Sequence, residues 1–278
     1  MEHNRIKKDE LLNTLPPEWP VDLLPEIWAQ IEAGKRKVVV LDDDPTGTQT
    51  VHGIPVLTKW SVESLRAELA NDLPAFYLLT NSRALPLAGA RELNTEIGRN
   101  LVKAAQQAGR NFAAVSRSDS TLRGHFPGEV ESLAEALGQT FDGWIVLPYF
   151  LEGGRFTVND IHYVAEGEWL TPAGQTEFAR DKAFGFQSSN LRDWVAEKMG
   201  GRVSAQDVTS ISIDDIRRGG PERVTKKLIS LPKGSASLPK GSASLPKGSA
   251  SLPKESICVV NAVTYRDLEV FIHGLLAA

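Results

Sequence analysis

The sequence predicts an α/β fold of three layers, a mostly parallel sheet with helices on both faces. Short apolar runs alternate along the chain with longer stretches whose apolar residues recur at helical spacing, the pattern of strand–helix–strand units. The first run, Val38-Val39-Val40-Leu41, is β-branched and unbroken, as a strand buried on both faces would be. Three of the runs pass directly into polar clusters, at the strand ends beyond which ligands bind in open parallel sheets.

Taken in order, residues 1–35 read as an N-terminal arm interrupted by Pro16-Pro17, Pro20 and Pro25, with a short amphipathic helix from Leu24 to Ile31. The α/β domain is placed over residues 36–278. Its first strand ends in Asp42-Asp43-Asp44-Pro45-Thr46-Gly47. A second strand, Ala75 to Leu79, ends at Thr80-Asn81-Ser82-Arg83, and the helix Leu87 to Ala108 follows with Gly109 as its stop. Phe112 to Val115 forms a third strand and runs into Ser116-Arg117-Ser118-Asp119-Ser120-Thr121. After a helix from Val130 to Leu137, Trp144 to Leu147 forms a fourth strand.

Residues 150–187 carry Gly153-Gly154, Pro172, Gly174 and Gly185 among aromatic residues, which predicts a long structured excursion. A helix spans Leu191 to Met199, capped by Ser188, Ser189 or Asn190. Val208 to Ile213 is a strand followed by Asp214-Asp215, Ile257 to Val260 a late strand, and Arg266 to Leu276 the helix after it. The heptad S-L-P-K-G-S-A begins at Ser230, recurs at Ser237 and Ser244 and restarts at Ser251. Its period suits a coiled coil, but Pro and Gly in every unit exclude a helix, so residues 230–254 are expected to be a disordered insertion.

Composition narrows the functional classes. A formal net charge of −4 gives no general attraction for nucleic acid or an anionic membrane, and no apolar stretch approaches a membrane span. Met1 to Glu10 is polar and lacks the features of a secretory signal, which makes the cytoplasm the expected compartment. The lone Cys258 lies in an apolar run and reads as a buried strand residue, and no Cys cluster suggests zinc.

Three carboxylates at one strand end would perturb one another in a crevice, although an acidic turn with Asp44 as a helix cap is the simpler alternative. Asp42, Asp44 and Thr46 resemble the D-x-D-x-T motif of haloacid-dehalogenase-like phosphatases, in which the first Asp is a nucleophile and the second a general acid. That family usually has an apolar residue where this chain has Gly47, and it needs a later magnesium-binding acidic pair, for which Asp214-Asp215 is available.

A larger set of residues resembles the four-carbon acid sugar kinase family. It comprises Asp43-Asp44-Pro45-Thr46-Gly47 after the first strand, Asn81-Ser82-Arg83 after the second, and Ser116 to Gly124, with its D-S-T-L-R-G string, after the third. The resemblance is clear over about residues 36–150. It implies an ATP- and Mg2+-dependent kinase that phosphorylates the terminal hydroxyl of a threonate, erythronate or oxo-tetronate. The N-terminal domain of that family holds the sugar acid, and a C-terminal domain binds the nucleotide.

On that reading Arg83, Arg117 and Arg123 recognise the carboxylate, Asn81, Asp119, Ser120 and Thr121 read hydroxyls, and Ser82 is a further substrate-binding residue. Thr46, Gly47 and Gly124 complete the substrate loops, and Asp44, with Asp43 beside it, accepts the hydroxyl proton. Asp42 falls outside the family's pair. His125 and Arg117 stand where a smaller polar residue and a Lys are expected, which leaves the exact acid open. His52 and His162 are weaker candidates.

The sequence has neither G-x-x-x-x-G-K-[ST] nor G-x-G-x-x-G, and it stops after the helix that precedes the nucleotide domain in the family. The expectation is therefore the sugar-binding half of a kinase, inactive alone, with no metal or nucleotide held tightly by this chain. The missing domain is its expected partner, and a homodimer is compatible with that. A non-catalytic sugar-acid-binding domain is the other alternative.

Overall fold

The structure is a computed structural model and describes residues 5–48, 51–232 and 256–278. The chain divides into two compact units: Pro25–Thr140, and Met1–Leu24 together with Phe141–Ala278. In chain order the second of these begins with β1 (Ile6–Lys7) and α1 (Lys8–Leu12). The unit Pro25–Thr140 then takes in nearly all of α2 (Leu24–Gly34), a helix expected within the N-terminal arm. It continues with β2 (Lys37–Asp42), β3 (Val56–Leu57), α3 (Val62–Ala70), β4 (Ala75–Leu79), α4 (Leu87–Ala108), β5 (Phe112–Arg117) and α5 (Gly128–Leu137).

Its four strands form one sheet in the order β3-β4-β2-β5, parallel throughout. The expected central strand is central: Val39, Val40 and Leu41 are all buried. Each strand of a parallel pair must return by a crossover, and α3 and α4 supply those connections. The register sets Asp42 opposite both Leu79 and Arg117, so the chain leaves β2, β4 and β5 at one level.

α4 and α5 pack closely because Gly98 has no side chain; a Cβ there would lie 2.7 Å from the Cβ of Ala136. At the far end of β2 the side chain of Lys37 is buried. Its Nζ donates to the Asn71 carbonyl at 2.8 Å, to Asn71 Oδ1 at 2.7 Å and to the Leu73 carbonyl, which ties the strand to the turn after α3.

The other unit resumes with β6 (Gly143–Val146), β7 (Arg155–Val158), β8 (Ile161–Glu166), β9 (Trp169–Pro172) and α6 (Leu191–Lys198). It ends with β10 (Thr209–Ile211), α7 (Ile213–Arg217), α8 (Gly220–Ile229), β11 (Ser256–Val260) and α9 (Tyr265–Leu276). β10, β11 and β6 make a second parallel sheet, in that order. The excursion at residues 150–187 contributes β7, β8 and β9 to a second kind of sheet, antiparallel, which β1 completes in the order β1-β9-β8-β7.

β7 turns into β8 through Asn159-Asp160, both at positive φ (52° and 63°), a two-residue turn whose twist matches its flanking strands. His162 is buried in that hairpin with Nδ1 3.0 Å from Thr157 Oγ1, a packed position. Cys258 is buried in β11, and burial pushes its thiol up to about 12.

The strand expected over Val208 to Ile213 ends at Ile211, because Ser212 caps α7: Ser212 Oγ accepts from Asp215 N, and the Asp215 carboxylate accepts from Ser212 N. The α/β class with predominantly parallel strands is as the sequence predicts, with helices joining strands in both units. From residue 233 to 255 the heptad insertion lies outside the described residues. No helix among the described residues is long and apolar enough to cross a membrane.

Candidate functional site

The three polar clusters meet at the C-terminal edge of the sheet in Pro25–Thr140. β2 ends at Asp42 and passes through Asp43-Asp44 into a 3-10 turn, Pro45–Thr48. Asp42 is fully buried (0% exposed), with Oδ1 accepting from Arg117 Nη1 at 2.9 Å and Oδ2 lacking a hydrogen-bond partner. Burial pushes its carboxyl above the usual range, against the pull of Arg117. Gly47 lies over this pair. A Cβ at that position would fall 1.9 Å from Arg117 Nη1 and 2.0 Å from Asp42 Oδ2, so only glycine fits without displacing the ion pair.

Asp43 is also buried and is clasped from two sides. Arg83 grips it with both prongs, Nη2 to Oδ1 at 2.6 Å and Nε to Oδ2 at 3.0 Å, while Ser118 Oγ donates to Oδ2 at 2.6 Å. Gly124, at φ 141°, passes so close to Ser118 that a Cβ would lie 2.1 Å from its Oγ. Asp44 is more open. Its Oδ1 accepts from the Thr46 amide at 2.8 Å and from the Thr46 hydroxyl, and Arg83 Nη1 lies 3.4 Å from Oδ2. Burial works against ionisation here, but the Thr46 hydrogen bonds and the guanidiniums of Arg83 and Arg117 outweigh it and hold the carboxyl below its usual range.

The loop after β4 enters the site through Asn81, exposed and left-handed at φ 51°, and a 3-10 turn over Ser82–Ala84. Thr80 docks that loop on β2, its amide and its hydroxyl both donating to the Asp42 carbonyl at 2.9 Å. After β5, Asp119 accepts from Arg123 Nε at 2.5 Å and from the Thr121 hydroxyl, which closes a compact loop around half-buried Ser120.

The expected residues therefore form three contacting sets: Asp42, Arg117 and Gly47; Asp43, Asp44, Thr46 and Arg83, with Gly124 close to Asp43; and Asp119, Thr121 and Arg123. Ser118 links the last two sets, its Oγ lying also 2.9 Å from the Arg123 carbonyl. Asn81 makes no capping bond to its turn, and His52 is exposed just beyond the first cluster.

Sequence reasoning missed the support beneath the site. Ser118 and Thr80 lie inside the recognised strings but have structural contacts of their own. Glu129, in the first turn of α5, is 5% exposed with Oε1 accepting from Asn94 Nδ2 at 3.0 Å, and burial pushes its carboxyl up. The available signal was its place directly after Gly128, where a helix opens at the end of the site loop.

The phosphatase-like alternative finds little support here. A nucleophilic Asp42 would have to leave its burial and its Arg117 partner. Asp215 is committed to Ser212, Arg223 and Lys227, and Asp214 pairs with Arg218 at 3.0 Å. Among the described residues no group of three or more His, Cys, Asp or Glu is arranged to hold a metal ion.

A family model described as a sugar-binding N-terminal domain matches residues 38–278. Among solved structures, the fold resembles that of protein HI1011 of Haemophilus influenzae, with a TM-score of 0.54 and 15% identity, covering 86% of this chain and 55% of that one. It also resembles a Bordetella bronchiseptica domain of unknown function solved as a domain-swapped dimer with bound citrate, with a TM-score of 0.55 and 18% identity, covering 87% of this chain and 57% of that one. The chain thus spans little more than half the length of these proteins. No curated protein matches the sequence significantly.

Proposed function

This chain belongs to the sugar-binding N-terminal domain family, and on that premise we propose that it is the sugar-acid-binding part of an ATP-dependent kinase. The acceptor is the terminal hydroxyl of a four-carbon acid sugar of the threonate, erythronate or oxo-tetronate type. The observation that carries this reading is the pooling of Asp43 and Asp44 with Arg83, Arg117 and Arg123 around the level ends of β2, β4 and β5.

The division of labour follows from burial. Asp43, locked between Arg83 and Ser118, is a positioning group. Asp44 is partly exposed and favours its ionised form, which suits a base accepting the proton of the attacking hydroxyl. Arg117 is 34% exposed at its side chain and commits only Nη1 to Asp42, so the guanidinium offers further N–H donors to a substrate carboxylate. Asn81, Ser120 and Thr121 remain the hydroxyl readers. The citrate bound by the Bordetella protein, itself a hydroxy acid, supports a small anionic ligand, and its swapped dimer supports a homodimer for this chain.

The sequence has neither G-x-x-x-x-G-K-[ST] nor G-x-G-x-x-G, the familiar phosphate-cradling loops. We assign ATP and its Mg2+ to a separate C-terminal domain acting as partner. Thermal-shift titration with threonate, erythronate and citrate tests the binding half. A ligand at 100 times its dissociation constant stabilises by about 2.7 kcal/mol. Arg117→Ala and Arg123→Ala are expected to abolish most of that shift; a hit indifferent to both would overturn the assignment. Turnover of ATP by the chain alone would overturn the division between domains.

A further inference from the structure

Asp42 ends β2 with its side chain fully buried, yet one of its two oxygens has no hydrogen-bond partner. An acceptor left unanswered in the interior is costly, and more so when it is charged. The residues before it, Val39, Val40 and Leu41, are buried and apolar, and an apolar residue at position 42 would continue them without that cost. Packing alone therefore does not account for a carboxylate there.

The group it does touch is Arg117. The register of β2 and β5 sets the two residues opposite one another, and Asp42 Oδ1 accepts from Arg117 Nη1 at 2.9 Å. Arg117 is the last residue of β5, and β5 is an edge strand of its sheet. A long side chain at the end of an edge strand samples many rotamers unless something fixes it. Asp42 fixes Nη1, and Gly47, whose Cβ would lie 1.9 Å from the same nitrogen, closes over the contact. Nε and Nη2 make no hydrogen bond to the described residues, and 34% of the side chain is exposed. These two nitrogens form the side-on fork of the guanidinium, the edge with which Arg83 grips Asp43. Arg83 itself is fully engaged, because its Nη1 lies 3.4 Å from Asp44. Arg123 turns its Nε to Asp119 at 2.5 Å.

We propose that Asp42 sets the selectivity of the site for an acid over a neutral sugar, by holding Arg117 through Nη1 so that its Nε–Nη2 fork faces the substrate carboxylate. Asp42 is then a positioning residue that acts through Arg117 and touches no substrate. The proposal rests on the sugar-acid reading for its ligand, and on the ion pair and Gly47 for the placement of Arg117.

Asp42→Val removes the anchor and lets Arg117 meet water, so the melting temperature is expected to stay level or rise. Asp42→Asn keeps the shape and one acceptor, and serves as the second variant. Isothermal titration with threonate and with threitol, its neutral counterpart, reads the selectivity. The preference for threonate is expected to fall about tenfold in Asp42→Val, the value of one hydrogen bond to a charged group, and by less in Asp42→Asn. With Arg117→Ala already in place, Asp42→Val is expected to change the preference no further. A preference unchanged in whichever variant folds, or one that falls as far again without Arg117, overturns the proposal. Equal losses of threonate and threitol affinity do the same, since they mark a merely structural role. Nitrogen NMR of the ligand-free chain checks the placement itself. Arg117 is expected to show separate Nη signals in the wild type and averaged ones in Asp42→Val; like signals in both would contradict the anchor. A wild type that binds neither compound overturns the sugar-acid reading instead, and the NMR comparison still decides whether Asp42 holds Arg117.

Discussion

Gly47 shows how tightly single residues constrain this site. Its backbone lies over an ion pair whose acidic partner is fully buried, and any Cβ would overlap both Arg117 and Asp42. Gly47→Ala is therefore expected to destabilise the protein by about 1–3 kcal/mol, as overpacking does elsewhere, and to weaken sugar-acid binding by displacing Arg117. Urea denaturation together with ligand titration would read both; an unchanged midpoint would contradict the close approach. The sequence identified Gly47 and Asp42 only as neighbours in a string. That one forbids a side chain because the other is buried depends on β5 supplying Arg117, 75 positions later. Asp43, Asp44 and Arg83 were legible because they lie in strings at strand ends that resemble the four-carbon acid sugar kinase family. Glu129 was not, since a lone glutamate at a helix start ordinarily faces solvent.

Among the elements, those with an unbroken apolar run or a long helical period were legible: β2, β4, β5, β11 and α4. β3 has only two residues, and its neighbour α3 has a short and weakly apolar face. The antiparallel hairpins were hidden by the glycines and prolines between them, although Asn159-Asp160 is itself a hairpin signal. α7 was masked because its first residue, Ile213, extends the apolar run of β10.

That helix carries its own prediction. Burial opposes ionisation of Asp215, but Lys227, Ser212 and Arg223 outweigh it and hold the carboxyl at about 2, against 3.8 for a free Asp. The unfolded chain therefore binds the proton more readily. The stabilisation is fully present above the unfolded value and is lost as pH falls from about 4 toward 2. Its size is about 2 kcal/mol. Asp215→Asn should remove that much at neutral pH and flatten the acid limb of the stability profile, as followed by circular dichroism. An acid limb of unchanged slope would argue against the cap.

At the scale of the whole molecule, two compact units each have their own parallel sheet, and the candidate site is described wholly within one of them. The heptad insertion lies between α8 and β11 of the other. Because Pro and Gly recur in every unit of the repeat, deleting residues 237–250 is expected to leave the melting temperature and ligand binding nearly unchanged. Halving the number of residues between two joined chain ends alters the closure cost by only about 0.6 kcal/mol. A large loss in a melting experiment would give the repeat a structural duty. The same arithmetic of separation bears on the order in which the protein is made. Asp42 waits 75 residues for Arg117, and Asp43 waits 40 for Arg83. A ribosome that has released only β2, β3 and β4 has exposed a strand whose terminal carboxylate lacks its counter-ion. The buried Asp42 carboxylate therefore gains its Arg117 partner only once β5 has emerged, whereas Asp43 can meet Arg83 as soon as the loop after β4 is free.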